Sequence, residues 1–170
     1  LLFRSNVGAK PAGAVLRAAV PGGRTEGSLT VQVDQGENRF ELTMRIDKPR
    51  LWWPVGQGEQ FLYDVDVTLE RGKQSRSVKR RTGVRRVEID QSPHPEVGRH
   101  CILRINNRPI FCKGGNWVPA DLMYSTVTAD RYRKLVELAV EANFNLLRVW
   151  GGGIYADHAL CEACDEMGVL

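Results

Sequence analysis

Up to about Asp90 the chain alternates apolar and polar positions with a period of two, the pattern of strands that bury one face in an antiparallel sheet. Phe40, Leu42, Met44 and Ile46 form one such set. Phe61, Tyr63, Val65, Val67 and Leu69 form another, with Asp64, Asp66, Thr68 and Glu70 on the reverse face. Shorter runs at Leu29, Val31 and Val33, from Ala14 to Val20, at Val78, and from Val84 to Ile89 add further strands. Turn clusters at Pro21-Gly22-Gly23 and Gly56-Gln57-Gly58 separate them. About six or seven strands at this spacing predict a β-sandwich over residues 1–98.

Near residue 100 the pattern changes to a hairpin and then to helices alternating with short apolar runs. A two-residue turn at Asn106-Asn107 sets Ile105 opposite Arg108, Leu103 opposite Ile110 and Cys101 opposite Cys112, with Pro109 where the ladder needs no donor. Reduced, packed thiols are the expected state of that cysteine pair. Phe111 to Asp121 read as a strand that runs into a loop with an indole and a carboxylate. Thr128 caps a helix with Asp130 in its first turn and Tyr132, Leu135, Val136 and Ala139 as its buried stripe, ending near Asn143. Phe144 to Val149 form the next strand, a helix spans about Asp157 to Met167, and Gly168 ends it before Val169-Leu170 start another strand. This β-α-β-α-β order predicts a parallel sheet with right-handed crossovers over residues 99–170.

Composition is that of a globular chain, 42% hydrophobic and 26% charged, and no apolar run reaches the ~18 residues of a membrane span. A soluble protein is expected, with its compartment left open. The net charge of +4 is densest at Lys79-Arg80-Arg81 and Arg85-Arg86, without the interleaved aromatics of a nucleic-acid surface, so a solvated strand is expected there and no nucleic-acid partner. Cys161 and Cys164 form a lone C-x-x-C inside a helical pattern whose stripe is Leu160, Ala163, Cys164 and Met167. Packing is expected of them and not metal or redox chemistry, so no metal and no cofactor is expected. The chain opens without methionine and breaks off at Gly168-Val169-Leu170 as an apolar run begins, so a piece of a longer protein is expected.

The candidate chemistry sits at two strand ends. Asn116-Trp117 and Asp121 follow one parallel strand, and Arg148 and Trp150 end the next, followed by Gly151-Gly152-Gly153. Two readings stand. Gly151 to Ala156 fits the G-x-G-x-x-A phosphate cradle, against which count the arginine and indole at the strand end and the βα unit that already precedes it. Alternatively, indole faces stack on the C–H faces of sugars while arginine and carboxylate bind hydroxyls, at the face of a parallel sheet where ligands bind. The plain structural reading of the same residues is two loop anchors and one ion pair.

Four segments, in order, carry a resemblance: Leu51 to Tyr63, Arg81 to Arg85, Gly115 to Asp121 and Asn145 to Tyr155. They resemble the β-mannosidases of glycoside hydrolase family 2, with Trp150-Gly151-Gly152-Gly153-Ile154-Tyr155 the most specific part. The family pattern has a glutamate after that tyrosine, where this chain has Ala156 and then Asp157. The resemblance implies a multi-domain enzyme, of which residues 1–98 are an all-β immunoglobulin-like sandwich and residues 99–170 the first βα units of a (β/α)8 TIM barrel. It implies an exo-β-mannosidase that removes terminal β-mannose from oligosaccharides with retention, which takes two carboxylates roughly 5 Å apart. By the same resemblance Arg148 contacts the nucleophile, Asn116, Trp117, Asp121 and Trp150 line the terminal mannose subsite, and both catalytic glutamates lie beyond residue 170. Glu137, Glu141, Glu162 and Glu166 sit on helices facing away from the rim, so the chain alone is expected to be inactive. A related β-galactosidase, an exo-β-glucosaminidase, or a noncatalytic β-sandwich that binds carbohydrate or protein are the alternatives. The open strand edge of residues 99–170 needs cover from the rest of the barrel, the sandwich or another copy.

Overall fold

The computed structural model describes residues 2–5, 11–21 and 25–170. The Gly22-Gly23 part of the first expected turn lies outside them. The structure is mostly β-sheet with few helices, and it divides into two compact units, residues 1–49 with 63–82 and residues 50–62 with 83–170.

The first unit holds β1 (Leu2–Ser5), β2 (Ala12–Ala19), β3 (Glu26–Val33), β4 (Gly36–Arg39), β5 (Tyr63–Arg71) and β6 (Gln74–Thr82). All pair antiparallel, in a two-stranded sheet β1-β4 and a four-stranded sheet β3-β2-β5-β6. Register follows from the period-two pattern. Leu16 lies between Leu29 and Leu69, and Val67 lies between Ala18 and Val78, so one face collects the apolar side chains. Burying a leucine such as Leu16, 3% exposed, contributes about 1.5–3 kcal/mol. The reverse face pairs charges across strands: Asp64 faces Arg81, Asp66 faces Lys79, and Arg17 bonds Glu70 at 3.1 Å. The basic run therefore sits on an edge strand beside carboxylates, where charge discourages pairing with a further strand.

One expected strand is absent. Phe40 to Ile46 bury alternate side chains, and Phe40, Leu42 and Met44 pack on the core of Leu16, Val31 and Val67, but the segment forms no ladder among the described residues. Alternation reports which side faces the core; it does not supply a hydrogen-bonding partner.

The second unit begins with β7 (Val87–Asp90), β8 (Ile102–Ile105) and β9 (Arg108–Pro109), an antiparallel sheet in that order. The hairpin turn is the one expected. Asn106 and Asn107 have φ of 51° and 68°, Ile105 faces Arg108, and Ile110 N–H donates to the Leu103 carbonyl at 2.8 Å. Cys101 and Cys112 are exposed free thiols.

Next come β10 (Gly114–Trp117), a 3-10 turn, α1 (Ala129–Glu141), β11 (Leu146–Val149) and α2 (His158–Met167). The Thr128 side chain accepts from Arg131 N–H to start α1, and Asn143, at φ 63°, reverses the chain after it. Asp157 caps α2 by accepting from Ala159 N–H, and Gly168, at φ 79°, ends it. Tyr132, Val136, Leu160, Ala163 and Val169 make the core over which β10 and β11 run parallel. Leu170 then donates to the Asn145 carbonyl and accepts from Leu147 N–H, so the end of the described chain lies parallel against the free edge of β11.

Residues 50–62, placed with the sandwich by their sequence pattern, pack with this second unit. Trp52, fully buried, donates its main-chain N–H to the Val84 carbonyl, and Val55 N–H reaches the Gly168 carbonyl at 2.8 Å. Gly83 leaves room for it, since a Cβ there would lie 2.8 Å from the Trp52 side chain. Arg85 and the end of α2 cover the ring, and Asn106 of the hairpin donates to the Trp52 main-chain carbonyl at 3.0 Å.

Candidate functional site

The parallel pair β10-β11 carries the residues singled out at the strand ends. Gly114 faces Leu146 so closely that a Cβ would lie 1.7 Å from the Leu146 carbonyl oxygen; only glycine permits the contact. Below it Asn145, 3% exposed, accepts from Lys113 N–H at 2.8 Å and donates to the Phe111 carbonyl at 2.9 Å. That buried amide ties the hairpin exit to β11. The register it fixes sets Asn116 beside Arg148 and Trp117 beside Val149.

Arg148 Nη1 donates to Asn116 Oδ1 at 3.1 Å, and both side chains are exposed at the strand ends. Trp150 N–H donates to the Trp117 carbonyl at 2.9 Å and carries the ladder one step further. The Trp117 ring packs on Tyr132 at 6.3 Å, while Trp150 keeps 46% of its surface in solvent. Four of the five candidates, Asn116, Trp117, Arg148 and Trp150, thus meet through direct bonds. Asp121 stands apart in the following loop, where Oδ1 accepts from Met123 N–H at 2.9 Å. Tyr132, which the helical stripe marks as core, is part of this wall as the ring beneath Trp117; the sequence carried no signal for that pairing.

Cation, amide and half-exposed indole at adjacent strand ends can hold a polar ring by stacking and directional hydrogen bonds. A pyrophosphate fits poorly. None of Gly151, Gly152 and Gly153 has a left-handed φ, and the N-terminus of α2 is already occupied by the carboxylate of Asp157, which a phosphate would have to displace. The C-x-x-C lies on α2, with Cys161 exposed and the Cys164 thiol pushed up to about 12, first by burial and then by Cys161 and Asp165. Such a thiol stays protonated at neutral pH. Arg133 bonds Glu166 and pairs with Glu137, which occupies both carboxylates in ion pairs between and along the helices. No helix among the described residues is long and apolar enough to cross a membrane.

A family model described as glycosyl hydrolases family 2 matches residues 9–85. Beta-mannosidase B of Emericella nidulans is 42% identical over 134 residues, 78% of this chain and 16% of that protein. Among solved structures, a beta-D-mannosidase from Dictyoglomus thermophilum is 35% identical and superposes with a TM-score of 0.78, covering 95% of this chain and 20% of that one. The Amycolatopsis orientalis exo-chitosanase is 25% identical with a TM-score of 0.78, over 99% of this chain and 19% of that one. The chain thus spans about one sixth to one fifth of the length of the proteins it matches.

Proposed function

The chain belongs to glycosyl hydrolase family 2, and on that ground we propose that it is part of a retaining exo-β-mannosidase acting on terminal β-mannose of oligosaccharides. In this reading the first unit is an immunoglobulin-like sandwich, and the parallel β-α-β-α stretch is the start of a (β/α)8 barrel. The bonded pair Asn116 and Arg148, beside Trp117 and Trp150 at the C-terminal ends of adjacent parallel strands, is the observation that carries it. Arg148 holds the nucleophilic carboxylate in its ionised form, and the indoles and Asp121 bind the sugar. Retention takes an acid/base and a nucleophile, both carboxylates, supplied by barrel strands outside residues 1–170.

The apolar side chains of Ile102, Leu103, Ile110, Phe111, Leu146 and Leu170 line one open concave face. This supports a partner of the same kind, the remaining barrel strands. Assay of the complete protein on aryl β-mannoside, β-glucosaminide and β-galactoside tests the reading. Turnover of the mannoside, and none by residues 1–170 alone, is the expected outcome. Faster turnover of the glucosaminide would shift the substrate to that of the chitosanase-like relatives, and turnover by residues 1–170 would refute the placement of the carboxylates.

A further inference from the structure

Three glycines in a row suggest one common reason, a backbone that only glycine adopts. The structure gives a different one. Trp150 to Gly153 form a turn closed by Gly153 N–H to the Trp150 carbonyl at 3.3 Å, with Gly151 and Gly152 at its centre and no left-handed φ at any of the three. None of the three needs the left-handed φ that favours glycine, so what separates these positions is space. A Cβ on Gly151 meets nothing within 4 Å. On Gly153 it would lie 3.0 Å from Pro119 Cγ, a contact the loop after β10 could relieve by a small shift. On Gly152 it would lie 2.3 Å from Cζ2, 2.6 Å from Cη2 and 2.7 Å from Cε2 of Trp150. Carbon atoms in contact stay about 3.5–4.0 Å apart, so no adjustment of a few tenths of an ångström suffices and the indole would have to leave its place.

We infer that Gly152 is a positioning residue: its missing side chain lets the six-membered ring of Trp150 lie against the turn and presents the rest of the indole as a platform. The inference rests on the proposal that Trp150 stacks on the sugar. The ring is seated by the turn that follows it in sequence, so platform and turn form one device, and Gly151 is merely a spacer within it. The same clearance recurs at Gly83, which admits Trp52, and at Gly58, where a Cβ would lie 2.8 Å from Trp53. Indoles in this chain are repeatedly seated on residues without side chains.

The test is a double-mutant cycle in the complete enzyme with an aryl β-mannoside. Gly152→Ala is expected to lower kcat/KM roughly tenfold, carried mainly by KM, about the worth of one stacking contact. Gly151→Ala stays within about twofold of the parent. Trp150→Ala lowers kcat/KM by itself, and adding Gly152→Ala to it changes little more, because the ring that clashed is gone. An equal loss from Gly152→Ala with and without the indole would overturn the inference, as would a Gly152→Ala enzyme indistinguishable from the parent. Should Gly152→Ala unfold the enzyme, recovery of folding in the Trp150→Ala background supports the inference and failure to recover rejects it. A Trp150→Ala enzyme with unchanged KM removes the sugar platform instead. The near-UV circular dichroism of Gly152→Ala then decides on the indole alone, and an unaltered tryptophan band rejects its displacement.

Discussion

The indole Nε1 of Trp52 donates to the main-chain carbonyl of Asp165 at 2.7 Å, so a side chain from residues 50–62 caps the last turn of α2. That carbonyl has no partner within its own helix. Arg85 lies over the Trp52 ring at 4.2 Å and bonds the Asp165 carboxylate at 2.9 Å, which closes the same junction from the other side.

Trp52→Phe keeps most of the apolar volume but leaves the Asp165 carbonyl unsatisfied, and is expected to destabilise by about 1–3 kcal/mol. Trp52→Ala removes the ring as well, for about 3–5 kcal/mol. Urea unfolding followed by far-UV circular dichroism measures both, and a Trp52→Phe variant as stable as the parent would show that the hydrogen bond contributes nothing.

The two glycines that begin β10 should behave oppositely. Gly114→Ala drives a methyl into the Leu146 carbonyl oxygen and should prevent β10 and β11 from pairing, with a loss of at least about 3 kcal/mol. Gly115→Ala meets only Phe144 Cε2, at 3.7 Å, and should change stability by less than about 1 kcal/mol. Thermal unfolding of the two variants side by side separates these outcomes.

Asp90 sets a pH dependence. Its pKa is lowered from 3.8 to about 2, first by the Ser92 backbone N–H, then by the Ser92 hydroxyl and by Arg104. A carboxylate whose folded pKa is depressed stabilises the fold above its unfolded value and loses that contribution as pH falls through the folded one. The contribution of Asp90 is therefore full above pH 4 and fades towards pH 2. Asp90→Asn should flatten the stability profile in that window and leave its shape above pH 5 unchanged.

Thiol chemistry should distinguish the four cysteines. Cys101, Cys112 and Cys161 are exposed, whereas the half-buried Cys164 has its pKa pushed up to about 12. Titration with a disulfide reagent at pH 8 in the folded state should show three fast thiols and one slow one, and all four should react quickly in denaturant. Replacement of Cys164 by alanine should abolish only the slow phase.

Much of the fold was legible in the residues because its signals are local. Asn106-Asn107 announces a turn needing two positive φ values, Thr128 and Asp157 announce helix starts, and Gly168 announces a stop. Partners remote in sequence were not legible. The alternation of Phe40 to Ile46 told which side chains face the core but not that the segment lacks a ladder. Trp52 looked like part of a sandwich, and nothing near it named the helix carbonyl 113 residues away that it caps. At the candidate site the strand register brought Asn116 to Arg148, which the two βα units implied. The loop geometry that turns the Asp121 carboxylate onto Met123 N–H lay beyond any pattern of types.

The hydrogen bonds of Leu170 to Asn145 and Leu147 bear on the order in which the second unit assembles. Leu170 bonds to the free edge of β11, which is itself paired to β10, so within this parallel sheet each segment joins the one made just before it by the ribosome. A nascent chain can build this sheet in the order of its synthesis, each new strand finding a template already formed. The Trp52 seat obeys the opposite rule. It stays open until Asp165 and Gly168 arrive, so its closure comes late and locks behind it a sheet that is already laid down.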